Sequence, residues 1–481
     1  MRQKTVNQSG PQEANKKPQG FLSRLQNRDH TQGSLFSSLL TLALPLVATS
    51  LCGGVIFQLV DLKLISGLGD QSVTAVVVTN QSLRQLFFMF VMGGSFGAQS
   101  LIARASGEAD SEAADHVAGQ TFLLGFWFSI FVGLLGLFFA QEMLGMMNVS
   151  AQVLEIGVPY VRLVFALSFG FIFMNLFNAV LNGAGDTTTP LLITIVSTVT
   201  SLLAEWALIY GHLGLPELGI QGVALGVSVG QLGSIGLMAY VLFGGNGRIH
   251  IRRRHMHADW ALLRQLSKLA WPPSVQLIGG FVVTVFFIRF MGDFGEKAQA
   301  AYSIGLRLSM LAPMICFPLA GAVATLVGQA LGAGNVPRAW RAIGIGLIVH
   351  VTIMWSLALL LFWFRLPLLQ MFTNDPQVIE IGESMLGWQS ASFVILAFSF
   401  VFFRALQGAG DMLVPMIMSL FASVILTIPL GLYLTYELEM GPQGLFLAQF
   451  ISALASALMT GSWLATGRWT RIRLQTHGSS A

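Results

Sequence analysis

The stretch from Thr121 to Ala140, TFLLGFWFSIFVGLLGLFFA, runs the thickness of a bilayer without one charged side chain. Leu191 to Ala204 is equally uncharged, and Ala342 to Phe364 carries only His350 as an ionisable group. A helix needs about 20 apolar residues to cross a hydrocarbon core. Inside that core every backbone N–H and C=O must be bonded within the protein, which leaves helices or closed barrels. The apolar runs are continuous rather than alternating, so they specify helices and not barrel strands. Such runs recur twelve times along the 481-residue chain. Only 10% of the residues are charged, against roughly 25% in soluble domains, so lipid is the main solvent. The expected fold class is an all-α integral membrane protein with twelve transmembrane helices.

The spans fall into two sets of six. LNGAGDTTTP, at 181–190, returns as LQGAGDMLVP at 406–415, 225 residues later. QVLEIG at Gln152 returns as QVIEIG at Gln377, and Gly107 as Gly332, at the same spacing. LALP at 42–45 is echoed by LAWP at 269–272, and Gly69, Asp70 and Arg84 by Gly292, Asp293 and Arg307 at 223 residues. One register held over so many positions marks an internal duplication. Six spans is an even number, so each copy starts and ends on the same side. The two six-helix bundles are then related by a pseudo-twofold axis along the membrane normal. The expected domain order is a polar tail 1–33, a first lobe 34–244, a basic linker 245–268, a second lobe 269–467 and a tail 468–481. Each decapeptide reads as a tight turn between helices. Gly183 and Gly185 close one helix in left-handed geometry, Asp186 caps the next, and Pro190 sits in its first turn. Gly408, Gly410, Asp411 and Pro415 repeat the device.

Basic residues gather in the first tail (Lys16, Lys17, Arg24, Arg28), the linker (Arg248, Arg252, Arg253, Arg254, Arg264, Lys268) and the end of the chain (Arg468, Arg471, Arg473). Arg104, Arg338 and Arg341 add to the same side, while Asp70, Glu142, Glu217, Asp293, Asp375, Glu437 and Glu439 mark the other. By the positive-inside rule both termini and the linker face the cytoplasm. The net charge of +4 is thus a topology signal and not a nucleic-acid footprint. His250, His255 and His257 belong to a solvated basic segment rather than a metal site. Cys52 and Cys316 both fall inside spans, with no disulfide or metal spacing, and the first tail has no signal-peptide apolar region. No nucleotide-binding loop, metal cluster or nucleophile constellation appears, which argues against an enzyme, an ATP-driven pump or a cofactor.

The duplicated GAGDxxxP turn, the first span LALP…VDLKLISGLG, the exit LIARASGEAD of the second span and GIQGVALG before the sixth together resemble the multidrug and toxic compound extrusion (MATE) family. The resemblance covers nearly the whole chain after residue 33. It implies two six-helix lobes around a central cavity, in a monomer of the bacterial cytoplasmic (inner) membrane. It also implies export of organic cations or amphiphiles in exchange for H⁺ or Na⁺. Two alternatives stay open: a lipid-linked saccharide flippase of the same superfamily, and an uncoupled channel or membrane-embedded interaction protein.

Charge inside a bilayer is costly, roughly 2.5–3.5 kcal/mol on insertion scales, so each buried ionisable group needs an account. Asp61 lies near the outer end of the first span and Glu205 about two thirds of the way outward along the fifth. At those depths the two acids can meet and hold a proton or a small cation between their oxygens. Gln58, Asn175, Asn178 and Ser201 are candidate supporting groups. The resemblance places Asp61 at the family's first-span aspartate, and Glu205 where many members have a fifth-span aspartate. Ser201 replaces an asparagine of that pattern. Acidic residues are absent from the middle of the seventh and tenth spans, which leans toward the DinF-type rather than the NorM-type subgroup. Pro45, Gly53 and Gly54 can bend the first span below Asp61. Arg84 and Arg307, equivalent in the repeat, suggest structural pairing in each lobe. Arg162, Arg289 and Arg404 lie nearer span ends and snorkel, and His350 reads as a hydrogen-bonded packing residue.

Overall fold

Apolar sequence and internally bonded backbone produce twelve spans among the described residues: α1 (Leu35–Leu68), α2 (Asp70–Gly107), α3 (Ser111–Gly145), α4 (Ala151–Ala166 with Ser168–Ala184), α5 (Thr188–Tyr210) and α6 (Ile220–Phe243), then α7 (Trp260–Asp293), α8 (Glu296–Gly332), α9 (Val336–Gln370), α10 (Pro376–Gly408), α11 (Leu413–Glu437) and α12 (Pro442–Ala465). The two pieces of α4 meet at Leu167 with a bend of 43°. The computed structural model describes residues 30, 32–147, 149–244 and 247–474, without the side chain of Gln81. Lys16, Lys17, Arg24 and Arg28 of the first tail lie outside the described residues. Below, the face holding the linker and the ends of the described chain is the terminal face, and its opposite is the far face.

The duplication reappears as repeated capping. Asp110 accepts a hydrogen bond from Ala113 N at the start of α3, and Asn335, 225 residues on, accepts from Arg338 N at the start of α9. Ser150 caps α4 through Val153 N, and its counterpart Asp375 caps α10 through Gln377 N. Asp186 accepts from Thr188 N and Thr189 N, and Asp411 from Val414 N. Side-chain acceptors satisfy backbone donors that a helix start leaves unpaired. Asp411 also accepts from the indole N–H of Trp463 at 3.0 Å. Burial holds its carboxyl above the usual range, against the pull of those two donors.

The paired glycines of each decapeptide do different jobs. Gly185 (φ 85°) and Gly410 (φ 93°) take the left-handed conformation that ends α4 and α10. Gly183 and Gly408 do not, contrary to the expectation for both. They are helical and make room for a neighbouring backbone. A Cβ on Gly183 would stand 2.8 Å from the Gln99 carbonyl oxygen of α2, and one on Gly408 would strike that of Ala324 in α8. Gly107 and Gly332 follow the same logic where α2 and α8 cross. A Cβ on Gly107 would strike the Gln329 carbonyl, and a Cβ on Gly332 the Arg104 carbonyl. Residues 104 and 329 are themselves 225 apart, so this contact lies on the pseudo-twofold axis.

The bundles exchange the first halves of their leading helices. Leu35, Leu39, Leu42, Ala43 and Leu46 of α1 pack with Leu319, Val323, Val327, Ile343 and Val401 from α8, α9 and α10. Leu262, Leu266 and Leu269 of α7 pack in turn with Leu101, Val117, Phe177 and Val180 from α2, α3 and α4. Farther along, Ile65 of α1 joins Val76, Tyr160, Ile209 and Val223 of its own bundle, and Phe287 and Met291 of α7 join Tyr302, Met385 and Phe446 of theirs. α1 changes allegiance across a π-helical stretch, Leu51–Ile56, that contains Gly53 and Gly54. Pro45 lies earlier, in regular helix. A proline leaves the carbonyl four residues back without its helical donor, and the Thr187 hydroxyl reaches that carbonyl, on Thr41, at 3.4 Å.

The linker is solvated at Arg252, Arg253, Arg254 and His257, as expected, but is fastened to α3 elsewhere. His255 is buried, with Nε2 2.7 Å from Glu112 of α3. Gln120 donates to the carbonyls of His255 and His257 and accepts from Asp259 N. His250 N donates to Asp115 at 2.7 Å. A single-sequence charge count misses this because the partners come from α3, far away in the chain.

Adding a methyl at a backbone crossing is expected to overpack it by about 1–3 kcal/mol. Gly107→Ala and Gly408→Ala should therefore lower the thermal unfolding midpoint in detergent, whereas Gly344→Ala, with open space around its Cβ position, should not. Equal midpoints for all three variants would contradict the crossing geometry.

Candidate ion-coupling site

Small residues bring α5 and α6 together behind the acids. Gly222, Gly226 and Gly230 form a stripe on α6, and a Cβ on any of them would strike α5 at Leu208, Glu205 or Ser201. Close approach of this kind is how helices pack in lipid. It leaves the Glu205 side chain wholly buried, at 0% exposure, and turned toward α1. There the Asp61 and Glu205 carboxyl groups stand within hydrogen-bonding reach of each other. The expected pair is therefore present in space.

Around Asp61 is a cavity of ≈ 50 Å³. A water occupies at least about 10–15 Å³ of such volume, so the space suits a few waters or a small cation and not a drug-sized molecule. Asp61, Asn80, Arg84, Tyr160, Ser168 and Gln231 supply its polar lining, and Phe57, Phe87, Phe165 and Phe171 much of its apolar wall. The Asn80 amide reaches the Tyr160 hydroxyl. Arg84 lies over the Phe171 ring, 4.3 Å from its centroid, and faces Asp61 as a longer-range opposite charge rather than a contact pair.

Oδ1 of Asp61 and Oδ1 of Asn80, on residues that line the cavity, have no donor from the described residues, and neither has either oxygen of Glu205, which stands against Asp61 but outside the lining. Buried acceptors are ordinarily hydrogen-bonded. A proton on either acid would close a bond between Asp61 and Glu205, and a small cation could take the oxygens as ligands.

The supporting residues differ from expectation. Gln58 is exposed and outside the cavity lining. Asn175 donates to Phe171 O of its own helix at 2.8 Å, and neither it nor Asn178 lines the cavity. Ser201 donates to Val227 O at 3.1 Å, fastening α5 to α6. Asn80 and Tyr160 take the places beside the acids. One signal pointed to Asn80: the polar hexapeptide TNQSLR in mid-span, which forms the π-helical stretch Thr79–Arg84, and such bulges gather at functional sites. Tyr160 had none, since one tyrosine in an apolar run is ordinary packing.

The arginine expectations also divide. Arg84 lines the cavity while its repeat counterpart Arg307 is exposed, so the two do not form equivalent pairs. Arg162 and Arg289 are exposed, but Arg404 is buried at 4% exposure. His350 is buried and bonded to Cys316 O at 3.1 Å, as expected of a packing residue.

A duplicated twelve-span bundle with an acid pair walled into one half defines a membrane transporter. The MatE family pattern matches residues 45–206 and 272–433, one copy in each half, and the chain belongs to this family of MATE transporters. A probable multidrug resistance protein NorM of Thermotoga maritima is 23% identical over 433 residues, covering 90% of this chain and 93% of the relative. The probable multidrug resistance protein YoeA of Bacillus subtilis is 26% identical over 447 residues, covering 90% and 94%. A MOP superfamily transporter from Pyrococcus furiosus shares the fold with a TM-score of 0.84 at 20% identity, covering 95% of this chain and 100% of the other. The type named among these is NorM, so the DinF-type leaning rests on the missing acids alone.

Losing one interhelical hydrogen bond costs about 0.5–1.5 kcal/mol, and overpacking a helix contact about 1–3 kcal/mol. Ser201→Ala should thus destabilise the protein less than Gly226→Ala, measured by thermal unfolding. The reverse order would mean that Ser201 does more than join α5 to α6.

Proposed function

We propose that the protein is a secondary active antiporter that exports organic cations or amphiphilic drugs in exchange for H⁺ or Na⁺ by alternating access. Asp61 and Glu205 carry the coupling ion. The observation behind this reading is the cluster of donor-free buried oxygens on Asp61, Asn80 and Glu205. Unpaired acceptors cost several kcal/mol in a low-dielectric interior, so the site favours binding a cation. Acids are absent from the middle of α7 and α10, which supports coupling in the first lobe, the DinF-type arrangement. Relatives named as multidrug resistance proteins support drug-like substrates.

The coupling follows from where Asp61 sits. It rides on the far half of α1, beyond the π-helical stretch with Gly53 and Gly54, while the near half is rooted in the second bundle. Binding a cation at Asp61 and Glu205 changes which hydrogen bonds hold the far half of α1. The stretch at Gly53 and Gly54 is the hinge that responds, and the substrate is released as the bundles rearrange. The clustering of Arg248, Arg252, Arg338, Arg341 and Arg468 at the terminal face supports a cytoplasmic location for that face and both termini. The membrane is the bacterial cytoplasmic membrane, and the working unit is the monomer.

In proteoliposomes under an imposed proton or sodium gradient, Asp61→Asn and Glu205→Gln should each cut gradient-driven drug efflux about tenfold or more. The gradient that drives the parent protein identifies the ion. Parental efflux by both variants would remove the two acids as carriers.

A further inference from the structure

Arg404 is a buried cation to which the coupling site gives no role. It stands on α10, is 4% exposed, and makes no ion pair with any carboxylate of the described residues. Its guanidinium lies over the Phe96 ring of α2, 4.1 Å from the centroid, with the Phe317 ring of α8 at 5.7 Å on the same group. Nη2 donates to Oε1 of Gln99 on α2 at 2.7 Å, and Nη1 to Oε1 of Gln407 on its own helix at 3.0 Å. Nε is buried without a partner.

The bonds continue on both sides. Gln407 donates to Gln276 of α7 at 3.2 Å. Gln99 donates to the Thr325 hydroxyl of α8 at 3.0 Å, and that hydroxyl donates to Asn182 O of α4 at 3.0 Å. One line of hydrogen bonds therefore passes between the bundles three times, in the part of the molecule where α2 and α8 touch. Its central link, Arg404 to Gln99, has no twin. At the 225-residue spacing Arg404 corresponds to Ala179, and Gln99 to Ala324. Neither alanine can make such a bond, so the pseudo-twofold related position is apolar.

We propose that Arg404 is a tie that helps hold the terminal face of the transporter closed, beside the bonds of Thr325 and Gln329 across the same seam. The inference rests on the alternating-access reading, in which the two bundles must part at this face once per cycle. The bond to Gln99 and the contact with Phe96 are the interactions of Arg404 that join different bundles, and both are lost when the face opens. A neutral amide suits this duty better than a carboxylate. An ion pair freed from water is hard to break one partner at a time, whereas a charged donor on a neutral acceptor holds firmly and still releases. The strength of this link biases the balance between the two faces. Arg404 is thus a positioning residue: it need not touch substrate or ion.

The test uses Ser100→Cys, buried beside the crossing; because the Ser100 hydroxyl donates to Gly408 O across the same seam at 3.2 Å, the parent and every variant carry this change together with Cys52→Ser and Cys316→Ala. A membrane-impermeant maleimide is added in vesicles from the side that carries the C terminus, and the labelling rate is measured. Arg404→Met and Gln99→Leu should each raise the rate about tenfold, the order of a single coupling contact. Gln99→Glu, which turns the link into an ion pair, should lower it below the parent. These opposite signs separate a tie from general loosening, since a misfolded variant would only gain labelling. Rates unchanged by all three substitutions, or raised by Gln99→Glu as well, would overturn the proposal. Gradient-driven transport by the parent protein, measured in the same vesicles, tests the antiport reading on its own. Its absence with tie-dependent labelling intact would remove antiport and leave the tie.

Discussion

The crossing of α2 and α8 at Gly107 and Gly332 is a contact of backbone on backbone, and much of the molecule is arranged around it. Lipid supplies no hydrophobic force between helices, so association depends on close van der Waals fit and on bonds that only short distances permit. With two glycines at the crossing, Gln99 comes within reach of Thr325, Thr325 of Asn182, and Gln329 of the Gly183 carbonyl. The same approach sets Gly183 on α2 and Gly408 on α8, so each decapeptide is a turn and a packing surface at once. The exchanged halves of α1 and α7 close the arrangement, each rooted in the opposite bundle.

That exchange gives the acid pair its setting. Asp61 is held by a helix whose beginning belongs to one bundle and whose end belongs to the other, with a π-helical stretch between. The backbone of Glu205 is packed closely where α5 meets the glycine stripe of α6. One acid therefore rests on a helix that can flex and the other on a packed wall. In the proposed cycle a change in the bond between them shifts α1. Arg404 stands elsewhere on the seam between the bundles, where α10 meets α2.

Several of these features were visible along the chain. The apolar runs, the duplication and the paired GAGD turns follow from residue order, because helix length and capping are local matters. The caps at Asp186 and Asp411 are legible for the same reason, whereas those at Asp110, Ser150, Asn335 and Asp375 emerge with the structure. Asp61 and Glu205 stood out because charge in lipid is conspicuous. Their supporting residues did not: Asn175 and Ser201 were drawn from the right helices but spend their bonds on helix structure and packing. Asn80 and Tyr160 are neutral and far from the acids in sequence, and only the folding of α2 and α4 against α1 brings them in.

The amino-acid order by itself determined the number of spans, their pairing into two copies and which acids must be reckoned with, since these depend on hydropathy, periodicity and the cost of charge in lipid. Only the tertiary structure decided that Arg404 is buried rather than snorkelling, that Arg84 and Arg307 have unlike surroundings, and that the linker is bonded to α3. Each of these turns on which helix face meets which neighbour. That is settled by side-chain volume at contacts such as Gly226 on Glu205, between segments that share no local pattern.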